Sequence, residues 1–193
     1  ERGLVHSPIS EILVEESIRD RFLEAFLAKA KAIKQGDPRD EASDIGPQIS
    51  RPHFDRVKGF VERAIGAGLK PALGGGPNDA LGGLYFKPTL FVDPPAASEI
   101  LREEVFGPVL CLQSFTTEAQ AIEMANDTEY GLAAVVMTGD QPRAERVTAT
   151  VNAGLVWNNC FFVRDLRQAF GGNGKSGIGR EGGTWSFDFY CDV

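Results

Sequence analysis

The sequence EEVFGP at residues 103–108 leads directly into the strand-like run VLCL at residues 109–112. Two adjacent carboxylates, an aromatic ring and a rigid Gly-Pro turn suit the rim of a ligand site at the start of a strand. The same six residues could instead form an exposed acidic helix end that is closed by a turn. On the hexapeptide alone the second interpretation is favoured, so the decision depends on the rest of the chain.

Strand-like and helix-like segments alternate on both sides of this stretch. The strand-like runs lie at residues 12–14, 69–73, 85–92, 132–138 and 155–158. Helices are predicted to begin near Ser17, Ser50, Thr117 and Asp140, whose side chains can each accept a hydrogen bond from a first-turn amide. This alternation predicts an α/β fold with a mostly parallel sheet and flanking helices.

The C-terminal part of the chain has a different composition. Seven of the fourteen residues at 170–183 are glycine, which predicts an irregular loop with several left-handed backbone positions. Two phosphate-binding patterns there are predicted to be fortuitous. GKS at 174–176 lacks the first glycine of a P-loop, because Ala169 occupies that position, and the glycine-rich stretch after it is not expected to form a helix. GxGxxG at 177–182 is expected neither to follow a strand nor to open a helix. Aromatic and polar residues then alternate at 185–190, as in a half-buried strand. We therefore predict one domain over residues 1–183 and a C-terminal strand extension over 184–193.

The composition excludes several classes of function. The formal net charge is −7 and no basic face is evident, so nucleic-acid binding is not expected. No apolar run approaches the roughly 20 residues that cross a bilayer, and no signal peptide is recognised, so no membrane association is expected. Three widely spaced cysteines without a CxxC pair favour reduced thiols in a cytoplasmic protein. No metal site is predicted from the sequence.

Four further segments have the order and spacing of a known family. They are FKPTL at 86–90, NDTEYGL at 126–132, GLVWNNC at 154–160, and FGG followed by SGIGREGG within 170–183. Together with EEVFGP they resemble the catalytic domain of the NAD(P)-dependent aldehyde dehydrogenase superfamily, from about Ile12 to Tyr190. The resemblance implies oxidation of an aldehyde to a carboxylic acid, with NAD or NADP as the cofactor of a complete enzyme.

The resemblance also assigns roles to individual residues. Glu104 would accept hydrogen bonds from the nicotinamide ribose hydroxyls, and Phe106 would pack beside the nicotinamide ring. Asn159 would have a structural role near the active-site loop, while Phe170 and Arg164 would line the aldehyde pocket. In this family the C-terminal strand packs in an oligomer interface, which implies a homo-oligomer or pairing with a full-length relative.

The pocket loop VRDLR at 163–167 narrows the resemblance further. With REGG at 180–183 and FDFY at 187–190, it is most similar to the hydroxymuconic and 5-carboxymethyl-2-hydroxymuconic semialdehyde dehydrogenases. The substrates of those enzymes carry carboxylates, which an arginine fork recognises well. Arg164 is the expected partner of that carboxylate and Arg167 the less certain one. The alternative is a surface Arg-Asp-Arg cluster, which would contribute little.

The chemistry of the family requires a nucleophilic cysteine and a carboxylate base. The resemblance places His6 where the cysteine should be, four residues before the Ser10-Glu11 pair. The base and the dinucleotide-binding domain precede the matched region, so no intact catalytic residues and no cofactor binding are expected for this chain alone. Cys160 is interpreted as a buried structural thiol. The alternative function is a non-catalytic protein, a truncated or degenerate paralogue that acts as a folded interaction or oligomerisation domain.

Overall fold

A computed structural model describes residues 10–192 of the chain. These residues form two compact units, one that ends at Thr116 and one that begins at Thr117. His6, the residue at the expected nucleophile position, lies outside the described residues.

The first unit combines four strands with three helices. Its elements are β1 Glu11–Glu15, α1 Arg19–Ala32, α2 Arg51–Gly66, β2 Pro71–Leu73, β3 Thr89–Val92, α3 Glu99–Arg102 and β4 Val109–Phe115. The strands form one sheet in the order β1-β4-β3-β2. β4 is parallel to both β1 and β3, whereas β2 is antiparallel to β3. The prediction of a mostly parallel sheet is confirmed.

Apolar residues cover both faces of this sheet. α2 presents Phe54, Val57 and Val61 at helical spacing, and they pack into one buried cluster with Phe91 of β3 and Cys111 of β4. On the second face a smaller cluster is centred on Val14, Leu90 and Leu112, against which side chains of α1 pack. β3 and β4 are therefore buried on both sides, as parallel strands between helices usually are.

The predicted helix starts are correct in three cases of four. Ser50, Thr117 and Asp140 each accept a hydrogen bond from the backbone N–H three residues later, at 3.4, 3.1 and 3.2 Å. The prediction for Ser17 is wrong. Its hydroxyl donates to the Glu15 carboxylate, and a 3-10 turn at Glu16–Ile18 precedes α1, so that Ser17 lies inside the turn.

The second unit repeats the alternation of helix and strand. Its elements are α4 Glu118–Asn126, β5 Ala133–Val136, α5 Gln141–Thr150, β6 Leu155–Asn158 and α6 Gly183–Tyr190. β5 and β6 are parallel, with Ala133 opposite Leu155. The strands at 132–138 and 155–158 are thus found where the sequence predicted them. No helix among the described residues is both long enough and apolar enough to cross a membrane.

The C-terminal strand prediction is wrong, because α6 is a helix. An isolated bridge joins Phe170 to Glu181, and the described residues beyond it pair with no strand. A backbone without a neighbouring strand must satisfy its polar groups locally, and a helix does this. The expectation that no helix follows the GxGxxG pattern is also wrong. A 3-10 turn, Gly174–Ser176, precedes that pattern in place of a strand, so the dinucleotide-binding motif is not formed.

Candidate functional site

The loop at residues 103–108 connects α3 to β4 in the first unit. Glu104 is half-buried, and Phe106 is 44% exposed with a backbone φ of 61°. Residues other than glycine rarely adopt this left-handed conformation, and such strained positions cluster at functional sites. The Phe106 ring lies perpendicular to the imidazole of His53 on α2, with 6.1 Å between the ring centroids. The loop therefore displays a carboxylate and an aromatic ring on a specific backbone turn.

Two neighbouring residues of α2 support this loop. The guanidinium of Arg56 donates to the carbonyl of Glu104 at 2.7 Å and to that of Val105 at 3.2 Å. Val57 packs so closely under Gly107 that a Cβ there would lie 2.7 Å from a valine methyl carbon. Within residues 10–192 no group hydrogen-bonds the Glu104 carboxylate, so it can accept hydrogen bonds from a ligand.

Arg164 and Phe170 lie together in the second unit. The Arg164 guanidinium carbon stands 4.2 Å from the centroid of the Phe170 ring, a cation–π contact. The side chain of Arg164 is 25% exposed, and its nearest carboxylate, that of Glu181, is 3.9 Å away. Phe170 and Glu181 exchange two backbone hydrogen bonds, of 2.7 and 2.8 Å. Phe170, Arg164 and Glu181 are therefore held close together by these contacts.

Asp165 does not pair with Arg164. Its carboxylate binds the guanidinium of Arg167 through both oxygens, and this pairing lowers the pKa of Asp165. The Arg167 side chain is 88% exposed, so this arginine faces solvent. For Arg167, this agrees with the alternative interpretation of residues 164–167 as a surface Arg-Asp-Arg cluster. Arg164 is therefore the arginine beside the shallow depression in this unit, which is lined by Leu155, Val163, Arg164, Asp165, Gln168, Ala169 and Phe170.

Asn159 joins the ends of β5 and β6. Its side-chain oxygen accepts from the Thr138 N–H at 2.9 Å, and its side-chain nitrogen donates to the Thr138 carbonyl at 2.8 Å. Its own backbone φ is 51°, a left-handed value that asparagine tolerates better than most residues. These contacts agree with a structural role, in which Asn159 fixes the loop that follows β6.

Two further residues, which were not predicted from the sequence as site residues, stabilise the backbone next to Arg164 and Phe170. The indole N–H of Trp157 donates to the carbonyl of Val163 at 2.8 Å, next to Arg164. Arg180 donates to the carbonyl of Gly172 at 2.7 Å and to the side chain of Asn173 at 3.1 Å. A tryptophan inside a strand needs a partner for its N–H, and this rule was the available signal for Trp157. Arg180 was quoted only as part of the REGG motif, and no signal in the sequence indicated these contacts.

The three cysteines differ in exposure. Cys111 in β4 is buried, and burial raises the pKa of its thiol to about 12, so it stays protonated at neutral pH and is a poor nucleophile. Cys160, expected to be buried, is only half-buried, and Cys191 is exposed. No group of three or more His, Cys, Asp or Glu side chains in the described part of the chain is arranged to hold a metal ion.

The predicted site residues fall into two groups. Glu104 and Phe106 share the loop of the first unit, whereas Asn159, Arg164 and Phe170 belong to the second unit. The first group has a carboxylate and a residue with a left-handed backbone before a parallel strand, and the second has an arginine stacked beside a shallow depression. Each arrangement is suited to binding a small polar molecule.

The chain belongs to the aldehyde dehydrogenase family, whose model matches residues 3–193. Aminoaldehyde dehydrogenase 2 of Zea mays is 40% identical over 192 residues, which are 99% of this chain and 38% of that protein. The 2-hydroxymuconic semialdehyde dehydrogenase of Pseudomonas putida is 40% identical over 195 residues, covering 99% of this chain and 40% of that protein. The chain thus spans about two fifths of the length of these relatives.

Solved structures show the same fold. The betaine aldehyde dehydrogenase of Staphylococcus aureus in complex with NAD⁺ superposes with a TM-score of 0.91 and 38% identity, over 98% of this chain and 39% of that one. HpcC from Thermus thermophilus superposes with a TM-score of 0.87 and 41% identity, over 95% of this chain and 37% of that one. The α/β fold with a mostly parallel sheet and flanking helices is that of the family.

Proposed function

We propose that this chain is the catalytic-domain portion of an NAD(P)-dependent semialdehyde dehydrogenase, which oxidises an aldehyde that also bears a carboxylate to the corresponding acid. Residues 1–183 would act as the catalytic-type domain and residues 184–193 as its extension. The observation that carries the proposal is the state of Arg164, a guanidinium that is held on the Phe170 ring and has no carboxylate within hydrogen-bonding distance among the described residues.

The contacts of Arg164 support recognition of an anion. A distance of 3.9 Å to Glu181 is too long for a hydrogen bond, and Asp165 is occupied by Arg167. The donors of Arg164 have no hydrogen-bond partner within residues 10–192, so a planar carboxylate could bind them in a bidentate manner. Stacking on Phe170 leaves the edge of the guanidinium, where the N–H groups lie, free for such a ligand.

The loop at 103–108 supports the cofactor assignment. Glu104 offers carboxylate oxygens that could accept hydrogen bonds from two ribose hydroxyls, and the exposed Phe106 ring could pack against a flat heterocycle. NAD or NADP, when bound in a complete enzyme, would supply the hydride acceptor. The residues of this chain would bind and orient the cofactor.

We further propose that the 193-residue chain alone does not turn over. The resemblance places His6 at the position of the nucleophile, and an imidazole does not readily replace a thiolate in attack on an aldehyde. The matched region is less than half of each relative, and the resemblance places the general base and the dinucleotide-binding domain before it.

The pure chain should therefore neither bind NAD measurably in calorimetry nor produce NADH from a carboxylated semialdehyde. A full-length relative, such as the Pseudomonas putida enzyme, serves as the positive control under the same conditions. Micromolar NAD affinity of the chain would contradict the first expectation. Steady NADH production that His6→Ala abolishes would contradict the second.

The alternative proposal is a non-catalytic paralogue that acts as a folded interaction or oligomerisation domain. The substitution at His6 favours it, whereas the geometry around Glu104, Phe106, Arg164 and Phe170 favours an enzyme. The reading frame upstream of Glu1, with the intact mass of the native protein, distinguishes the two. An upstream dinucleotide-binding domain would contradict a truncated paralogue, and a native mass that requires cysteine instead of His6 would contradict a degenerate one.

Self-association, or pairing with a full-length relative, is proposed from α6. Trp185, Phe187 and Phe189 are 52%, 62% and 75% exposed on this helix, more apolar surface than a monomer usually leaves uncovered. We expect association in sedimentation experiments at tens of micromolar, roughly the range in which modest interfaces form. Phe189→Asp should weaken it, whereas Ile178→Asp, at an isolated position that is 94% exposed, should not. A monomeric profile for the unmodified chain, both alone and mixed with a full-length relative, would eliminate the proposal.

A cytoplasmic location is proposed on the state of the thiols. Cys111, Cys160 and Cys191 are all free, as expected for a reducing compartment. Cell fractionation that recovers the protein from an organelle or from the secreted fraction would contradict it.

A further inference from the structure

We infer that Arg56 of α2 is a positioning residue, which fixes the backbone of the loop at 103–108 and thereby the directions of Glu104 and Phe106. The inference rests on the proposed function only where it concerns the cofactor. The positioning itself depends only on contacts within the first unit.

The two hydrogen bonds of Arg56 end on consecutive carbonyls of the loop. The nitrogen Nη2 donates to the oxygen of Glu104, and Nη1 donates to the oxygen of Val105. A planar guanidinium can bind two neighbouring acceptors at once, whereas an ammonium group acts as a point donor. The guanidinium carbon also lies 5.1 Å from the centroid of the buried Phe60 ring, which limits the freedom of the side chain.

The loop requires this support from outside itself. Among residues 10–192 its backbone hydrogen bonds to other backbone groups lie at its two ends, where the N–H of Glu103 donates to Glu99, the carbonyl of Gly107 accepts from Val109 and that of Pro108 accepts from Thr89. Between them Phe106 has its left-handed φ of 61°, a conformation that surrounding contacts must maintain.

One face of α2 supplies these contacts. Arg56 and Val57 lie three and four residues after His53, so each is a neighbour of His53 on the same side of the helix. His53 meets the Phe106 ring, Val57 packs under Gly107, and Arg56 binds the carbonyls between those two points. Arg56 is the member of this group whose contacts are polar and directional, so its removal should release the backbone turn without opening a cavity.

The first test measures the loop directly in this chain by NMR. Arg56→Met keeps an aliphatic stem over Phe60 but removes both hydrogen bonds. We expect the carbonyl ¹³C resonances of Glu104 and Val105 to shift and the order parameters of the loop amides to fall. Arg63→Met is the matched control, because Arg63 lies on the same helix and stacks 4.9 Å from the same Phe60 ring, yet its guanidinium pairs with Glu99 instead of these carbonyls.

Either of two NMR results would contradict the positioning role of Arg56. Carbonyl shifts that remain at their original values in Arg56→Met, or that move equally in Arg63→Met, would overturn the inference. If Arg56→Met fails to fold, Arg56→Lys replaces it. A lysine can reach one carbonyl but not both in a fork, so one of the two resonances should move while the other is retained. Two unchanged resonances in the folded lysine variant would again overturn the inference.

The second test separates the positioning from the proposed cofactor role. It uses a full-length aldehyde dehydrogenase that has the arginine at this helix position and the same loop. The KM for NAD should rise about ten-fold in Arg56→Met, the order expected when a charge-assisted hydrogen bond is lost, while the KM for aldehyde changes little. Partial recovery in Arg56→Lys supports the inference. A displaced loop with an unchanged KM for NAD would refute the cofactor role of Glu104 and Phe106 but leave the positioning intact.

Discussion

Replacing Arg164 by alanine should lower the preference for a carboxylated semialdehyde over a neutral aldehyde of similar size by one to two orders of magnitude. A hydrogen bond to a charged group contributes about 1.5–3 kcal/mol, which corresponds to this range in the ratio of kcat/KM values. The effect should be confined to the carboxylated substrate, because the guanidinium is proposed to bind that group and no other part of the molecule.

The measurement compares both substrates in a full-length enzyme that shares the loop at 163–167. Arg167→Ala is the matched control, since Arg167 comes from the same loop but is 88% exposed and is bound to Asp165. It should leave the ratio nearly unchanged. Equal losses on both substrates in Arg164→Ala would show that the arginine is structural, and the semialdehyde assignment would lose its main physical support.

Glu181→Gln tests the same site in the opposite direction. The Glu181 carboxylate stands 3.9 Å from Arg164 and is 62% exposed, so it would compete only weakly with the proposed substrate anion. Its removal should raise the preference for the carboxylated substrate by up to about five-fold, because exposed ion pairs are worth roughly 0.2–1 kcal/mol. A lower preference in Glu181→Gln would mean that Glu181 orients Arg164 and does not compete with the substrate.

Gly154→Ala should be among the most destabilising single methyl additions in the second unit. An added Cβ would lie 1.7 Å from the carbonyl oxygen of Gly171 and 2.8 Å from its carbon, both of them backbone atoms. The backbone must therefore move, and we expect a loss of about 3 kcal/mol in the free energy of unfolding, at the upper end of the usual range for overpacking.

Urea denaturation followed by fluorescence measures this loss as a lower midpoint. Gly139→Ala is the control, because a Cβ there meets no atom within 4 Å and the φ of Gly139 is not left-handed. An unchanged midpoint for Gly154→Ala would show that the backbones at Gly154 and Gly171 can move apart at little cost in stability. Gly171 adjoins Phe170, so the displaced backbone should also disturb the stacking of Arg164.

The sequence predicts the α/β fold well because its signals are local. Ser50, Thr117 and Asp140 each act on an amide three residues away, and the apolar spacing of α2 can be recognised without knowledge of its neighbours. The C-terminal segment fails for the opposite reason. Its alternating aromatics are compatible with a strand, but a strand needs a second one beside it, and the described residues provide none.

The candidate site shows the same difference between local signals and contacts that join distant parts of the sequence. Glu104, Phe106, Asn159, Arg164 and Phe170 were assigned from motifs that are each contiguous in the chain. The side chains that support them act over long separations. Arg56 binds carbonyls 48 and 49 residues further on, and no periodicity reports such a contact. Only the folded backbone shows which helix face meets which loop.

The stacking of Arg164 on Phe170 has a consequence for the entropy of recognition. A free arginine side chain samples many rotamers, and a ligand that fixes it must offset roughly 2 kcal/mol of lost freedom. Here the ring has already restricted the guanidinium during folding, so less of that freedom remains to be lost on binding. An arginine placed in a binding site without a ring such as that of Phe170 would have the same charge but would lose more side-chain entropy on binding a ligand.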